Sequence, residues 1–125
     1  MSLDGRVAVV TGGASGMGEA TARLLAGSGA VVTVVDLDAD GAERVSDGCG
    51  GRAVVGDVSD PVFCSKAIDG VVDANGRIDV LVNAAGIVLR ADAAGTEDDQ
   101  WRRMMAVNVD GVFFMSRAAV RHMVD

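Results

Sequence analysis

Apolar and polar positions along the chain fall into two alternating rhythms, one suited to strands and one to helices. Val7 to Val10 make a short apolar run closed by a glycine-rich turn, as a buried strand would. From Met17 to about Ser28 the spacing becomes helical, with Met17, Ala20, Leu24 and Leu25 predicted on one face. Glu19 and Arg23 form a predicted pair one turn apart, and Gly27 and Gly29 stop the helix. Val31 to Val35 repeat the strand signal and end on Asp36, after which Asp38 to about Ser46 reads as a second, polar-faced helix. Arg52 to Asp57 is a shorter strand interrupted by glycine, which suits a sheet edge. Pro61 opens the next helix, capped by Asp60 or Ser59, and that helix runs to about Ala74 before Asn75-Gly76. Ile78 to Val82 give a fourth strand, closed by Asn83-Ala84-Ala85-Gly86. After a loop of about ten residues, Thr96 is expected to cap one long helix ending near Val124.

Strands alternating with helices at this spacing imply a parallel sheet covered on both faces. The right-handed crossover rule then predicts a doubly wound α/β domain of Rossmann type over residues 1–125, with strand order 3-2-1-4. The winding reverses between the first and fourth strands. A ligand is expected there, across the strands' carboxyl ends, between Thr11–Gly18 and Asn83–Gly86. Ile78–Val82 is apolar enough to be buried on both faces, yet as a last strand it would leave an unpaired edge. The predicted sheet is therefore incomplete, with later strands absent.

Composition narrows the function classes. A net charge of −7 without a basic cluster argues against nucleic acid and anionic membrane as partners. No apolar run reaches the length of a membrane span, and the first residues show no secretory pattern, so a cytoplasmic location is expected. Cys49 and Cys64 lack metal-ligand spacing and are expected to be free thiols. The lone His122 has no neighbouring ligand type, so no metal is expected.

Two features carry candidate chemistry. The turn Thr11-Gly12-Gly13-Ala14-Ser15-Gly16 leads into a helix whose first N–H groups lack intrahelical partners. With the positive end of the helix dipole, such donors suit a phosphate, and Gly12, Gly16 and Gly18 allow close approach to the main chain. The spacing is Gly-x-x-x-Gly-x-Gly, and a plain tight turn is the competing reading. Asp36, 18 residues after Gly18, falls beside this turn in a strand-helix-strand unit. A carboxylate there can accept from both hydroxyls of an adenosine ribose and repels a 2′-phosphate. No Lys or Arg lies between Gly12 and Gly18, and Leu37 follows the acid, so NAD(H) is expected over NADP(H). A solvated helix-capping acid is the alternative.

On the last helix, Trp101, Met104, Met105, Val112, Met115, Ala119 and Met123 form an apolar stripe, and Asn108 falls within it. A buried amide left unpaired costs roughly 1–3 kcal/mol, so Asn108 needs partners. A bond to nearby backbone would supply them.

Taken together, Thr-Gly-x-x-x-Gly-x-Gly at Thr11–Gly18, Asp36, Asp57-Val58 and Asn83-Ala84-Ala85-Gly86 resemble the short-chain dehydrogenase/reductase family, from Arg6 to the last residue. The resemblance implies that the glycines and Ser15 hold a pyrophosphate, with Met17 beside the cofactor. It implies Asp36 on the adenosine ribose, with Leu37 following it, and Asp57 on the adenine amino group, with the Val58 backbone next to it. Asn83, Ala84, Ala85 and Gly86 would brace the sheet and touch the nicotinamide side; Ala84 stands where many members carry a second Asn. Asn108 matches the family's catalytic asparagine, which holds a water in a proton relay.

The family's Ser, Tyr and Lys are not matched. The chain has no tyrosine, and its single lysine, Lys66, lies in a mid-chain helix. The resemblance thus implies the cofactor-binding half of an NAD-dependent oxidoreductase acting on an alcohol or ketone, inactive as these residues alone. The methionine stripe of the last helix is expected to be core or a dimer face, giving a homo-oligomer through that helix. A non-catalytic NAD or adenine-nucleotide module, or a truncated assembly partner, are the alternatives.

Overall fold

The computed structural model describes residues 2–124. Its sheet contains β1 (Val7–Thr11), β2 (Val31–Asp36), β3 (Arg52–Val55) and β4 (Val80–Asn83), all parallel, in the order β3-β2-β1-β4. This is the predicted strand order. Helices α1 (Gly16–Gly27) and α2 (Ala39–Cys49) link the first three strands, and α3 (Pro61–Asn75) crosses to β4. The chain ends in α4 (Asp98–Met105), a π-helical turn (Ala106–Asp110) and α5 (Gly111–Met123).

Period-two alternation in β1 divides the core. Val7 and Val9 face one side, with Cys64, Ile68 and Val71 of α3 and Met115 and Ala119 of α5. Ala8 and Val10 face the other, with Ala22 of α1 and Ala42 and Val45 of α2. All five β1 residues are buried, as a central strand between two helical layers requires. At the opposite ends of the sheet, β3 is largely exposed and β4 half-buried.

The pairing of β1 with β4 is pinned at both ends. At the start of the strands, the Asp79 N–H donates to the Val7 carbonyl at 2.8 Å, and the Val7 N–H donates to the Asp79 carboxylate at 2.8 Å. Arg77 and Arg6 also donate to that carboxylate, and Arg77 first, then the Val7 N–H, hold it below the usual carboxylate range. At the other end, Thr11 receives the Ala84 N–H on its carbonyl and the Ala85 N–H on its hydroxyl, each at 3.2 Å.

Helix boundaries follow local chemistry. Asp38 caps α2 by accepting from the Gly41 N–H, and Asp60 caps α3 by accepting from the Val62 N–H behind Pro61. Gly50 and Gly76 close these helices in the left-handed region. Cys49 and Cys64 are free thiols. Cys64 is fully buried, its Sγ 3.2 Å from the Val58 carbonyl, and burial pushes its thiol up to about 11.

Three expectations need correcting. The buried face of α1 carries Gly18 and Ala22, while Met17 and Leu24 are 85% and 71% exposed. Gly18, Ala22 and Leu25 share the face that packs on the sheet, and Met17 and Leu24 fall on a different side of the helix. The cap of α4 is Glu97, not Thr96: a capping box joins Glu97 and Gln100, and the Thr96 hydroxyl donates instead to the Asp92 carbonyl. The long last helix is split by the π turn, and its stripe splits with it. Trp101 is 54% exposed, whereas Met115 is fully buried.

Close packing also explains one glycine. At Gly12, where φ is +65°, a Cβ would lie 2.6 Å from the Ala85 backbone. Gly50 has a similar φ of +64° but open space around it. Gly50→Ala should therefore cost about 1–2 kcal/mol from backbone strain alone, and Gly12→Ala about 2 kcal/mol more from the collision. Urea unfolding of the two variants checks this; equal losses would mean that the β1–β4 approach is not what requires glycine at Gly12.

Candidate nucleotide-binding cleft

The carboxyl ends of the strands open onto a cleft of about 360 Å³. One wall is Gly12, Ser15, Gly16, Met17 and Gly18 at the start of α1. Asp36 and Leu37 follow from the end of β2, and Asp57 and Val58 from beyond β3. Ala84, Ala85 and Gly86 line it from the end of β4. The sheet's reversal point brings these four segments together; the facing of the Gly12–Gly18 turn and the end of β4 is the part expected from the winding.

The opening turn is not folded shut. Ser15, the N-cap of α1, makes no side-chain cap bond, and Gly16 sits at φ +56° with nothing within 4 Å of where a Cβ would be. Gly18 has a different reason to be glycine: a Cβ there would overlap the Gly12 carbonyl oxygen. The main chain therefore doubles back tightly while the helix N-terminus stays open to the cleft.

Asp36 lies directly beside this turn. Its Oδ2 accepts from the Ala14 N–H and its Oδ1 from the Asp38 N–H, both at 3.0 Å. A carboxylate has about four acceptor positions, so one remains on each oxygen, enough for a pair of neighbouring hydroxyls. On the other side of the same residue, the Ala14 carbonyl accepts from Arg44 at 3.1 Å. Arg44 is held in turn by Glu19, which also pairs with Arg23; these two guanidinium groups, Arg44 foremost, lower the Glu19 pKa.

Asp57 is held more tightly. Its Oδ1 accepts from the Ser59 N–H at 2.9 Å and the Ser59 hydroxyl at 2.7 Å. Its Oδ2 pairs with Arg103 of α4 at 2.9 Å. Burial pushes this carboxyl up, but the bonds from Ser59 and Arg103 outweigh it and leave the group below its ordinary value.

Two predicted residues stand behind the cleft rather than on it. The Asn83 amide donates to the Ser116 hydroxyl at 3.1 Å, fixing the end of β4 to α5. Asn108 lies in the π turn and clasps the Ile87 backbone, accepting its N–H and donating to its carbonyl, each at 2.8 Å. Asn108 is half-buried, not enclosed in an apolar stripe, and its partners are backbone groups of the Ile87 segment.

Sequence reasoning missed Gly56, Ile87 and Val107, which complete the lining, and Arg103 behind Asp57. The glycine within the predicted strand Arg52 to Asp57 was a signal for Gly56, which follows β3 and where a Cβ would overlap the Phe63 ring. Arg103 gave none, since its partners are more than forty positions away. Among the described residues no cluster of metal-ligand types occurs, and no helix is long and apolar enough to cross a membrane.

Comparison with known proteins bears on the family and the fold. The sequence model of the short chain dehydrogenase family matches residues 6–125. D-threitol dehydrogenase of Mycolicibacterium smegmatis is 41% identical over 98% of this chain and 49% of its own length. Meso-2,3-butanediol dehydrogenase of Serratia marcescens is 40% identical over 98% and 50%. A short chain dehydrogenase from Burkholderia cenocepacia, solved in complex with NADP, superposes with a TM-score of 0.94 at 37% identity, covering 98% of this chain and 52% of that one. A 3-ketoacyl-(acyl-carrier-protein) reductase from Brucella melitensis complexed with NADH gives 0.91 at 37% identity, over 97% and 51%. The chain spans about half the length of the curated relatives it matches.

The Asp57 contacts make a pH prediction. A carboxyl held below its unfolded value of about 3.9 stabilises the fold above that pH, and the contribution is lost as pH falls through the lower, folded value. Between about pH 6 and pH 3, the wild type should therefore lose more stability than Asp57→Asn, which cannot titrate. Urea midpoints at the two pH values measure this, and identical losses would remove Asp57 from the acid-sensitive groups.

Proposed function

Because the chain belongs to the short chain dehydrogenase family, we propose that it forms the dinucleotide-holding part of an NAD(H)-dependent oxidoreductase interconverting an alcohol and a carbonyl. The observation that carries this reading is Asp36: two spare acceptor positions beside an open helix N-terminus. The fit is to a ribose diol joined to a diphosphate. Gly12, Ser15, Gly16, Met17 and Gly18 would hold the pyrophosphate against the α1 amides. Asp36, with Leu37 beside it, would take the ribose hydroxyls, and Asp57 with the Val58 backbone the adenine. Ala84, Ala85 and Gly86, with Asn83 bracing them, would meet the nicotinamide side.

A bound nicotinamide supplies hydride transfer; the residues here bind and orient. The same carboxylate favours NAD(H) over NADP(H), since a 2′-phosphate would meet Asp36 with like charge and no arginine or lysine lines the cleft. Asn108 holds the Ile87 segment at the rim and keeps one acceptor and one donor position for a water in proton transfer. With no tyrosine in the chain, we expect these residues alone to bind without turnover. A cytoplasmic location belongs to the same proposal, as does homo-oligomer contact through α5, where Val112, Phe113 and Val120 are exposed. Relatives named for threitol and butanediol favour a small alcohol or ketone as the substrate class.

Fluorescence titration with NADH should show saturable binding. Asp36→Ala should weaken NADH binding about tenfold or more and NADPH binding much less. Equal losses for the two cofactors would take Asp36 off the ribose, and no saturable binding by the wild type would end the nucleotide reading.

A further inference from the structure

Asp57 reaches the cleft with nearly all of its acceptor capacity already used. Oδ1 receives two bonds, from the Ser59 N–H and hydroxyl, and Oδ2 receives one, from Arg103. Of about four acceptor positions on a carboxylate, one is left, on Oδ2. Its direction is set by the guanidinium that fills the other position on the same oxygen. Arg103 is in turn fixed from its second nitrogen, which donates to the Ser59 hydroxyl at 3.0 Å. Asp57, Ser59 and Arg103 thus close a ring in which the hydroxyl accepts from Arg103 and donates to Asp57.

The ring joins α4 to the segment after β3. None of the α4 residues is fully buried; Met104 and Met105 at its end are half-buried, and its first turns are exposed. Among the described residues, Arg103 is the α4 side chain that hydrogen-bonds to a distant part of the chain. A planar, two-pronged guanidinium can satisfy both acceptors at once, whereas an ammonium on a flexible stem cannot fix both directions.

We propose that Arg103 is a positioning residue for base recognition: it fixes the Asp57 carboxylate so that one acceptor points into the cleft and selects a purine with an exocyclic amine over one with a carbonyl. This rests on the nucleotide reading of the cleft. A single oriented acceptor matches one N–H of an amino group, and a carbonyl oxygen in the same place would face a lone pair without a proton between them. Without Arg103 the carboxylate keeps its bonds to Ser59 but can rotate Oδ2 away, so discrimination falls while the diphosphate and ribose contacts remain.

The test is titration of wild type, Arg103→Met, Arg103→Lys and Ser59→Ala with two ligands. One is NADH and the other is reduced nicotinamide hypoxanthine dinucleotide, which carries a carbonyl where adenine carries its amine. Wild type should prefer NADH about tenfold. Arg103→Met should lose most of that preference by weakening NADH binding, with the hypoxanthine ligand nearly unaffected, and Arg103→Lys should recover part of it. Equal weakening of both ligands would indicate a role in helix stability only and overturn the proposal, as would an undiminished preference in Arg103→Met or no preference in wild type. Should Arg103→Met fail to fold, Ser59→Ala decides, because it opens the same ring without removing the charge; its preference must also fall. Wild type binding neither ligand would remove the nucleotide reading itself, and this proposal with it.

Discussion

Everything at the cleft depends on how β1 is fastened to β4. Parallel neighbours that are far apart in sequence have no short turn to set their register, so the side-chain pattern and the contacts at the strand ends must do it. Here the grip is double: Asp79 and Val7 exchange bonds at the start, and Thr11 takes the amides of Ala84 and Ala85 at the finish. Because β2 and β3 lie on the other side of β1, this fastening sets the point where the sheet's winding reverses. Slippage by one residue would turn Val7 and Val9 from the α3–α5 side to the α1–α2 side and move the Ala84–Gly86 wall along the cleft. The close approach at Gly12 follows from the same fastening, since Ala85 can come so near only if no side chain intervenes.

Much of this was legible in the sequence because the signals are local. Strand runs such as Val31–Val35, the Asp60-Pro61 start and the Gly76 stop each act within a few residues, and strand order follows from connection handedness. Part of the cleft was legible for the same reason: Gly12–Gly18 and Ala84–Gly86 lie just past strand ends and Asp36 closes β2, whereas Asp57 was named through the family resemblance. What the pattern could not carry was tertiary. Met17 and Leu24 share an apolar period in α1, but the face that meets the sheet is the one with Gly18, Ala22 and Leu25. The π turn at Ala106–Asp110 shifts the phase of a stripe that periodicity alone reads as continuous from Trp101 to Met123. Thr96 is the favoured residue type for a cap, but the reciprocal partner Gln100 places the cap at Glu97.

The two acids at the cleft show how one residue type can be put to different uses. Asp36 is anchored by main-chain amides and keeps an acceptor on each oxygen, whereas Asp57 is enclosed by a hydroxyl, an amide and a guanidinium and keeps one. Asp36 is thereby suited to a pair of donors and Asp57 to a single one. Composition reports them as equal charges; the hydrogen-bond environment makes them unlike.

Ala14 has no functional group of its own, yet its N–H is held by Asp36 and its carbonyl by Arg44, which Glu19 holds in place from α1. Both main-chain handles of the residue at the centre of the turn are thereby immobilised by side chains from β2 and α2. A glycine-rich segment left to itself would sample many shapes, and an incoming anion would have to select one of them. Here the conformational entropy of shaping the turn is surrendered once, when the chain folds, and would not be demanded again from an anion that bound there.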